Sequence, residues 1–434
     1  MSTWQDLVTA SLIGTERSAV PAVAIPGLPP AADDPGDPAA VLLDRAALLT
    51  AARRAGRRPG RAEPLPPCEP DLRPAVSPAA ARRLRRLLSG EHPDLLTEWL
   101  TAATARGLRP PPQLLPALLD RARRGQPADL GLPRLLAEAG GPRARWLAGL
   151  NPDWEHAAEE PSADDETWRL GDTRQRRGYL ASLLSRDPGA GRALITGGWD
   201  AAGAADRVMF LSVLADALGP ADEPLLEAAL DDRAEDVRRW AAYLLARLPG
   251  SALGRRMAER ALRYVRVEQT VRGPRLSIGA PRRPDADLQR DGIAAGPDPT
   301  RGPFESRTHV LLEVLARTPL STWTDGLGLT PAEVVALPSG DWTPVTLAGW
   351  SRAAIAQRNR DWISALLGHA LNRRPGTAAE IEALRQLARR ADPALGAPGA
   401  TPVSAGDPDA PAPIRDAVRV LRFRYDMLKE LDDG

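Results

Sequence analysis

Between Gly219 and Gly250 the apolar positions fall into two helical stripes separated by a polar turn. Val237, Trp240, Ala241, Leu244, Leu245 and Leu248 recur at the spacing of one face of a 3.6-residue helix. Ahead of them Leu225, Leu226, Ala229 and Leu230 share one face of a shorter helix, with Asp222 as its cap and Pro224 in its first turn. Asp231-Asp232-Arg233 makes the turn, Asp232 and Glu235 have capping-box spacing, and Pro249-Gly250 ends the second helix. Neither helix can bury its stripe alone. A step of about 30 residues toward the N-terminus aligns Phe210, Leu211, Leu214 and Leu218 with Trp240, Ala241, Leu244 and Leu248, and a second step reaches Leu180, Ala181 and Leu184.

Paired helices at this period, with Asp232, Val237 and Arg238 in place, resemble a HEAT-type helical repeat. The resemblance implies an all-α fold, an irregular α-solenoid of HEAT-like hairpins joined by Pro/Gly-rich loops. An ordinary irregular helical bundle is the alternative. Alternation of Val265, Val267, Val271, Leu276 and Ile278 leaves room for one small β-hairpin.

The same patterning organises the rest. Residues 1–150 read as an N-terminal helical domain, with helices expected at Trp4–Ile13, Pro38–Ala55 and Pro78–Leu88 and in several shorter pieces after them. Residues 151–172 are an acidic linker, 173–267 the HEAT-like repeats, and 268–304 a long loop or small hairpin. Helical hairpins return over 305–390, a flexible linker covers 391–413, and 414–434 form a terminal capping helix.

Composition narrows the class. The chain has 434 residues, few aromatics and 44 prolines that cluster between the periodic segments. Lys429 is the only lysine, so the abundance of arginine points to a GC-rich bacterial genome rather than to nucleic-acid binding. The net charge of +1 exerts no global pull on an anionic partner. One cysteine, Cys68, excludes a disulfide framework, and no apolar run reaches membrane-spanning length. A cytoplasmic protein without a membrane span is expected.

Chemistry is sparse. There is no phosphate-loop lysine motif and no nucleophile elbow, and His92, His156, His309 and His369 lack metal-ligand spacing. Gly189-Ala190-Gly191 and Gly326-Leu327-Gly328 read as turn glycines, and the basic run Arg82 to Arg86 as a solvated helix face. No catalytic residue, metal or cofactor is expected. The suggestive segment is C-terminal: Trp323, Trp342, Trp350 and Trp362 accompany Arg352, Arg358 and Arg360. Trp and Arg are enriched in interaction hot spots and also build base-stacking grooves, although the plainer reading is that large tryptophans fill an alanine-rich core. Asp287, Arg290 and Asp291 of the long loop complete the candidate partner-binding set.

Three passages, LIGTERSAVP, DADLQRDGIAAGP and WTPVTLAGWSRAAIAQRNRDWISALL, resemble an uncharacterised bacterial helical family whose genes lie beside those for MoxR-type AAA+ ATPases, von Willebrand factor A-domain proteins and SWIM zinc-finger proteins. The resemblance implies an accessory or scaffold role in an ATPase system. The expected function is a non-enzymatic helical-repeat scaffold binding a protein partner, such as an AAA+ ATPase or a von Willebrand factor A-domain protein. The alternative is a nucleic-acid-binding HEAT-like protein.

Overall fold

Helices begin where Ser, Thr, Asp or Asn can accept a backbone N–H and end where Gly, Pro or a polar turn intervenes. Ser77 accepts from Ala80 N, and Thr330 and Thr377 form capping boxes with Glu333 and Glu380. The structure is a computed structural model that describes residues 4–23, 36–55, 65–123, 132–154, 165–293, 303–373, 376–401 and 407–433. Residues 155–164 of the expected acidic linker (with His156), 294–302 of the long loop and 402–406 of the C-terminal linker lie outside the described residues. The chain divides into two compact units, Met1–Pro67 and Cys68–Gly434.

In the first unit, α1 (Trp4–Ile13) packs on α2 (Pro38–Ala55). The Arg53 guanidinium lies 5.6 Å from the Trp4 ring centroid, and Arg45 donates to the Val20 and Pro21 carbonyls.

The second unit opens with α3 (Pro78–Leu88), α4 (Leu96–Ala105), α5 (Leu115–Arg123) and α6 (Leu132–Leu150, broken at Gly141). These bury Leu84, Trp99, Leu100, Leu118 and Leu136 together with Phe423, Met427 and Leu431 of the last helix. There follow α7 (Asp165–Leu170), α8 (Thr173–Arg186), α9 (Pro188–Gly198), α10 (Ala204–Leu214), α11 (Glu223–Ala229), α12 (Glu235–Leu245) and α13 (Ala252–Tyr264). After a hairpin and the short α14 (Ala286–Arg290) come α15 (Pro303–Arg317), α16 (Ser321–Leu327), α17 (Pro331–Ala336), α18 (Thr343–Ala356), α19 (Arg360–Asn372), α20 (Ala378–Arg390) and α21 (Ala412–Asp432).

One line of packing runs through this second core: α8 on α10, α10 on α12, α13 on α15, α15 on α18, α18 on α20 and α20 on α21. Within it Gly349 allows a close approach, since a Cβ there would sit 2.5 Å from the Leu315 Cβ. Ion pairs join helices at nearly the apolar period: Arg176–Asp206 and Arg192–Asp222 at a separation of 30 residues, Arg256–Glu227 at 29 and Arg207–Asp232 at 25.

Several expectations need correction. Asp232 is not the N-cap of α12. Ala234 is, and the Asp232 carboxylate accepts instead from Ala234 N and from Arg207. Asp222 makes no cap bond to α11 and accepts from Gly219 N and Arg192. Arg238 and Arg239 bond locally: Arg238 donates to the Asp232 and Arg233 carbonyls and Arg239 pairs with Asp236. Residues 165–170, counted in the acidic linker, are helical, and Trp168 packs on Phe210 with centroids 5.5 Å apart. The last helix does more than cap an end. Its first half joins the second core through Ile414, Ala417, Val418 and Leu421, and its second half joins the first.

The hairpin is real: β1 (Val265–Thr270) pairs antiparallel with β2 (Gly273–Ile278), from Val265 opposite Ile278 to Thr270 opposite Gly273. Leu276 N also donates to the Pro338 carbonyl at 2.8 Å, which anchors the hairpin to the helices. The fold is all-α with this one small antiparallel sheet among the described residues. No helix there is long and apolar enough to cross a membrane.

Candidate functional site

The expected partner-binding residues separate into three groups. Trp323, Trp350 and Trp362 are 1%, 1% and 2% exposed. They form an aromatic ladder, with centroids 5.9 Å apart for Trp323–Trp350 and 5.8 Å for Trp350–Trp362. They fill space among small residues of α18 and α19 and present no surface to a partner. Trp342 is half-buried against the same core.

The second group is an internal latch. Asp287 is exposed, but Asp291 is 1% exposed and its carboxylate accepts from Arg256 at 2.7 Å and from Arg260. Arg290 forks onto Asp231 at 2.7 and 2.8 Å, and Glu227 takes a further bond from Arg256. Leu288 and Ile293 are buried beneath, and Gly292, at φ +81°, lies where a Cβ would meet the Ala242 Cβ at 2.5 Å. The passage DADLQRDGI therefore clips its loop onto α11–α13. Arg290 and Asp291 are committed to this contact and are not free for a partner.

The third group lines a cleft. Arg352 and Arg358, with exposed Arg360 outside it, follow from the sequence; the remainder do not. The cleft, about 550 Å³, runs across the C-terminal ends of the stacked helices. Arg239, Tyr243 and Arg247 come from α12 and the turn after it, Glu313 and Arg317 from α15, Arg352 and Arg358 from α18 and the following turn, and Arg390 from α20. Asp216, just beyond α10, is the second carboxylate, so six arginines face two acids. In a chain of net charge +1 this is a concentrated positive surface.

Inside it the charges are not equivalent. Glu313 accepts from Arg317 at 2.5 Å and from Arg352 at 2.9 Å. Burial alone would raise its carboxyl pKa, but the adjacent Arg317, the Arg317 hydrogen bond and Arg352 together hold it below the usual value. Arg239 is taken up by Asp236. Arg247, Arg358 and Arg390 have no ion pair or side-chain hydrogen bond among the described residues. Burial depresses the Arg247 pKa, and Tyr243 and Asp216 oppose that while Arg358 and Arg390 add to it. The half-exposed Tyr243 ring lies 6.0 Å from the Arg247 guanidinium.

Arg358 also carries backbone strain. It follows α18 at φ +52°, and Asn359 N reaches back to the Ala354 carbonyl at 3.0 Å, the hydrogen bond that closes a helix on a left-handed residue. Glycine usually takes this place, because an L side chain there costs about 1–2 kcal/mol. Arg358→Gly should therefore raise stability by about 1 kcal/mol, seen as a higher urea midpoint. An unchanged or lower midpoint would show that the arginine side chain stabilises the fold enough to cancel the strain.

The basic run Arg82 to Arg86 is partly absorbed into the fold. Arg83 pairs with Glu430 at 2.6 Å, Arg86 with Glu91 at 2.5 Å, and both guanidiniums lie over the Phe423 ring.

Sequence reading missed Tyr243, Arg247, Glu313, Arg317 and Arg390 as a group. A signal existed, since arginines recur at or just past the C-terminal ends of α12, α15, α18 and α20. Each one alone is accounted for by the helix dipole, so only their juxtaposition is informative.

Among comparisons with known proteins, no curated protein and no solved structure matches the chain. A family described as DUF5691, a family of unknown function, matches residues 6–394. Most of the chain lies within that match, and the chain belongs to the DUF5691 family.

Proposed function

We propose that this protein is a non-enzymatic scaffold, an irregular α-solenoid of HEAT-like hairpins that docks an acidic segment of a protein partner in the arginine-rich cleft. The supporting observation is the line of stacked helices whose C-terminal ends bring six arginines against two carboxylates. A stacked-helix surface gives an extended partner a continuous face, and complementary charge selects and orients it. The resemblance to a family encoded beside MoxR-type AAA+ ATPases and von Willebrand factor A-domain proteins makes those two classes the first partners to test.

The competing reading is a nucleic-acid groove. Burial of Trp323, Trp350 and Trp362 removes the stacking platform on which that reading relied, and the cleft keeps its basic charge.

The test is recovery of partners from native cells on the intact chain and on Arg239→Glu/Arg390→Glu, two exposed positions whose reversal leaves the core untouched. The double variant should recover an acidic partner at roughly a tenth of the wild-type level or less, with an unchanged circular dichroism spectrum. Equal recovery by both proteins would sink the proposal. So would binding to DNA or RNA that falls steeply with salt and exceeds binding to any protein.

A further inference from the structure

Three cleft arginines are left over once the internal ion pairs are assigned. Arg317 and Arg352 share Glu313, and Arg239 holds Asp236. Arg247, Arg358 and Arg390 remain, from the turn after α12, the turn after α18 and the last residue of α20. All three line the same cleft, and Arg358 and Arg390 both act on Arg247 to disfavour its charge while the Asp216 carboxylate opposes them. No ion pair among the described residues accounts for this convergence. Arg358 is placed there in a left-handed conformation that disfavours any side chain, and strained residues of this kind cluster at binding sites.

We propose that Arg247, Arg358 and Arg390 form a receiving site for a phosphomonoester, carried as a phosphorylated side chain on the partner segment that occupies the cleft. The proposal rests on the docking reading above and names the group recognised. A carboxylate carries one charge on two oxygens and is satisfied by one forked guanidinium. It would leave two of the three arginines uncompensated. A phosphomonoester near pH 7 carries close to two charges on three terminal oxygens, so each guanidinium can donate to one oxygen while their mutual repulsion is relieved. Tyr243, half-exposed beside Arg247, offers an apolar face to the chain flanking the phosphate. That the residues are arginine carries no weight in a chain with one lysine; their convergence does.

A phosphodiester backbone fits less well. It spreads one charge per phosphate along a track, and here Glu313 and Asp216 interrupt the track while the tryptophans that would stack bases are buried.

Calorimetric titration of the full chain with O-phosphoserine, inorganic pyrophosphate and succinate tests the site directly. O-phosphoserine and pyrophosphate should bind roughly tenfold or more tightly than succinate, and that preference should vanish in Arg247→Gln and Arg390→Gln. Arg385→Gln, an exposed arginine of α20 outside the cleft, should keep it. Arg358→Gly should lose the preference without losing thermal stability, which separates recognition from folding. Equal binding of phosphoserine and succinate, or no binding of either phosphoryl probe, overturns the phosphoryl site. The acidic-segment reading is judged separately, by partner recovery with Arg239→Glu alone, which leaves all three phosphoryl-site arginines in place. A degenerate phosphoserine peptide pool, its unmodified counterpart and a single-stranded RNA then identify the source. Preference for the phosphorylated pool supports the proposal, and tighter competition by RNA overturns it.

Discussion

Asp291→Ala should destabilise the protein by about 3–5 kcal/mol, because it removes the common acceptor of a buried ion-pair cluster, strands Arg260 without a counter-ion and leaves Arg256 with Glu227 alone. Asp291 is 1% exposed, and Arg256 and Arg260 of α13 both donate to it. Removal of one member of a buried pair costs more than the pair contributes, since the remaining charge keeps its desolvation penalty. Asp291→Asn keeps the shape and loses the charge, so it should still lie well below wild type. Asp231→Ala, which removes the exposed partner of Arg290 in the same cluster, should cost about 1 kcal/mol or less. Denaturant unfolding of the three variants gives the comparison. A loss under about 1 kcal/mol for Asp291→Ala would mean that the latch is not part of the folded core.

Trp350→Ala should cost a similar amount, about 3–5 kcal/mol, for a different reason. Its ring sits between Trp323 and Trp362, 5.9 and 5.8 Å from their centroids, and truncation would leave a cavity that rigid helices cannot fill. Gly349, adjacent in sequence, lets α18 approach α15 so closely that little room for relaxation remains. Trp350→Phe offers a contrast. The indole N–H is buried with no hydrogen-bond partner among the described residues, so phenylalanine removes an unsatisfied donor while keeping most of the packing. Its cost should stay under about 1.5 kcal/mol. If the alanine variant unfolds at the wild-type denaturant midpoint, the ladder is not a core element, and the tryptophans return as candidates for a partner surface.

These two sites show where reading the sequence stopped. The pattern placed helical hairpins over 305–390, and it marked the bounds of α1 and α2 as they are found. It could not distinguish a tryptophan that fills a core from one that waits for a partner, because both satisfy the same spacing. Asp291 looked like an exposed loop acid because its partners, Arg256 and Arg260, lie more than 30 residues away in sequence. The ion pairs between helices about one apolar period apart are made by Arg176, Arg192, Arg207 and Arg256. Many arginines and acids recur near the same period, and several pairings are sterically open until the helices are placed.

What the sequence by itself determined is local: which segments are helical, where prolines and glycines interrupt them, the hairpin at Val265–Ile278, and the absence of familiar catalytic motifs. Those features depend on interactions within a few residues, so the order of residue types carries them. Only the tertiary structure decided which arginines are consumed and which are left. Glu313 selects Arg317 and Arg352, Asp291 selects Arg256 and Arg260, and Arg247, Arg358 and Arg390 remain. Ion pairing depends on distances of a few ångströms between helices far apart in the chain, and a linear pattern does not contain those distances.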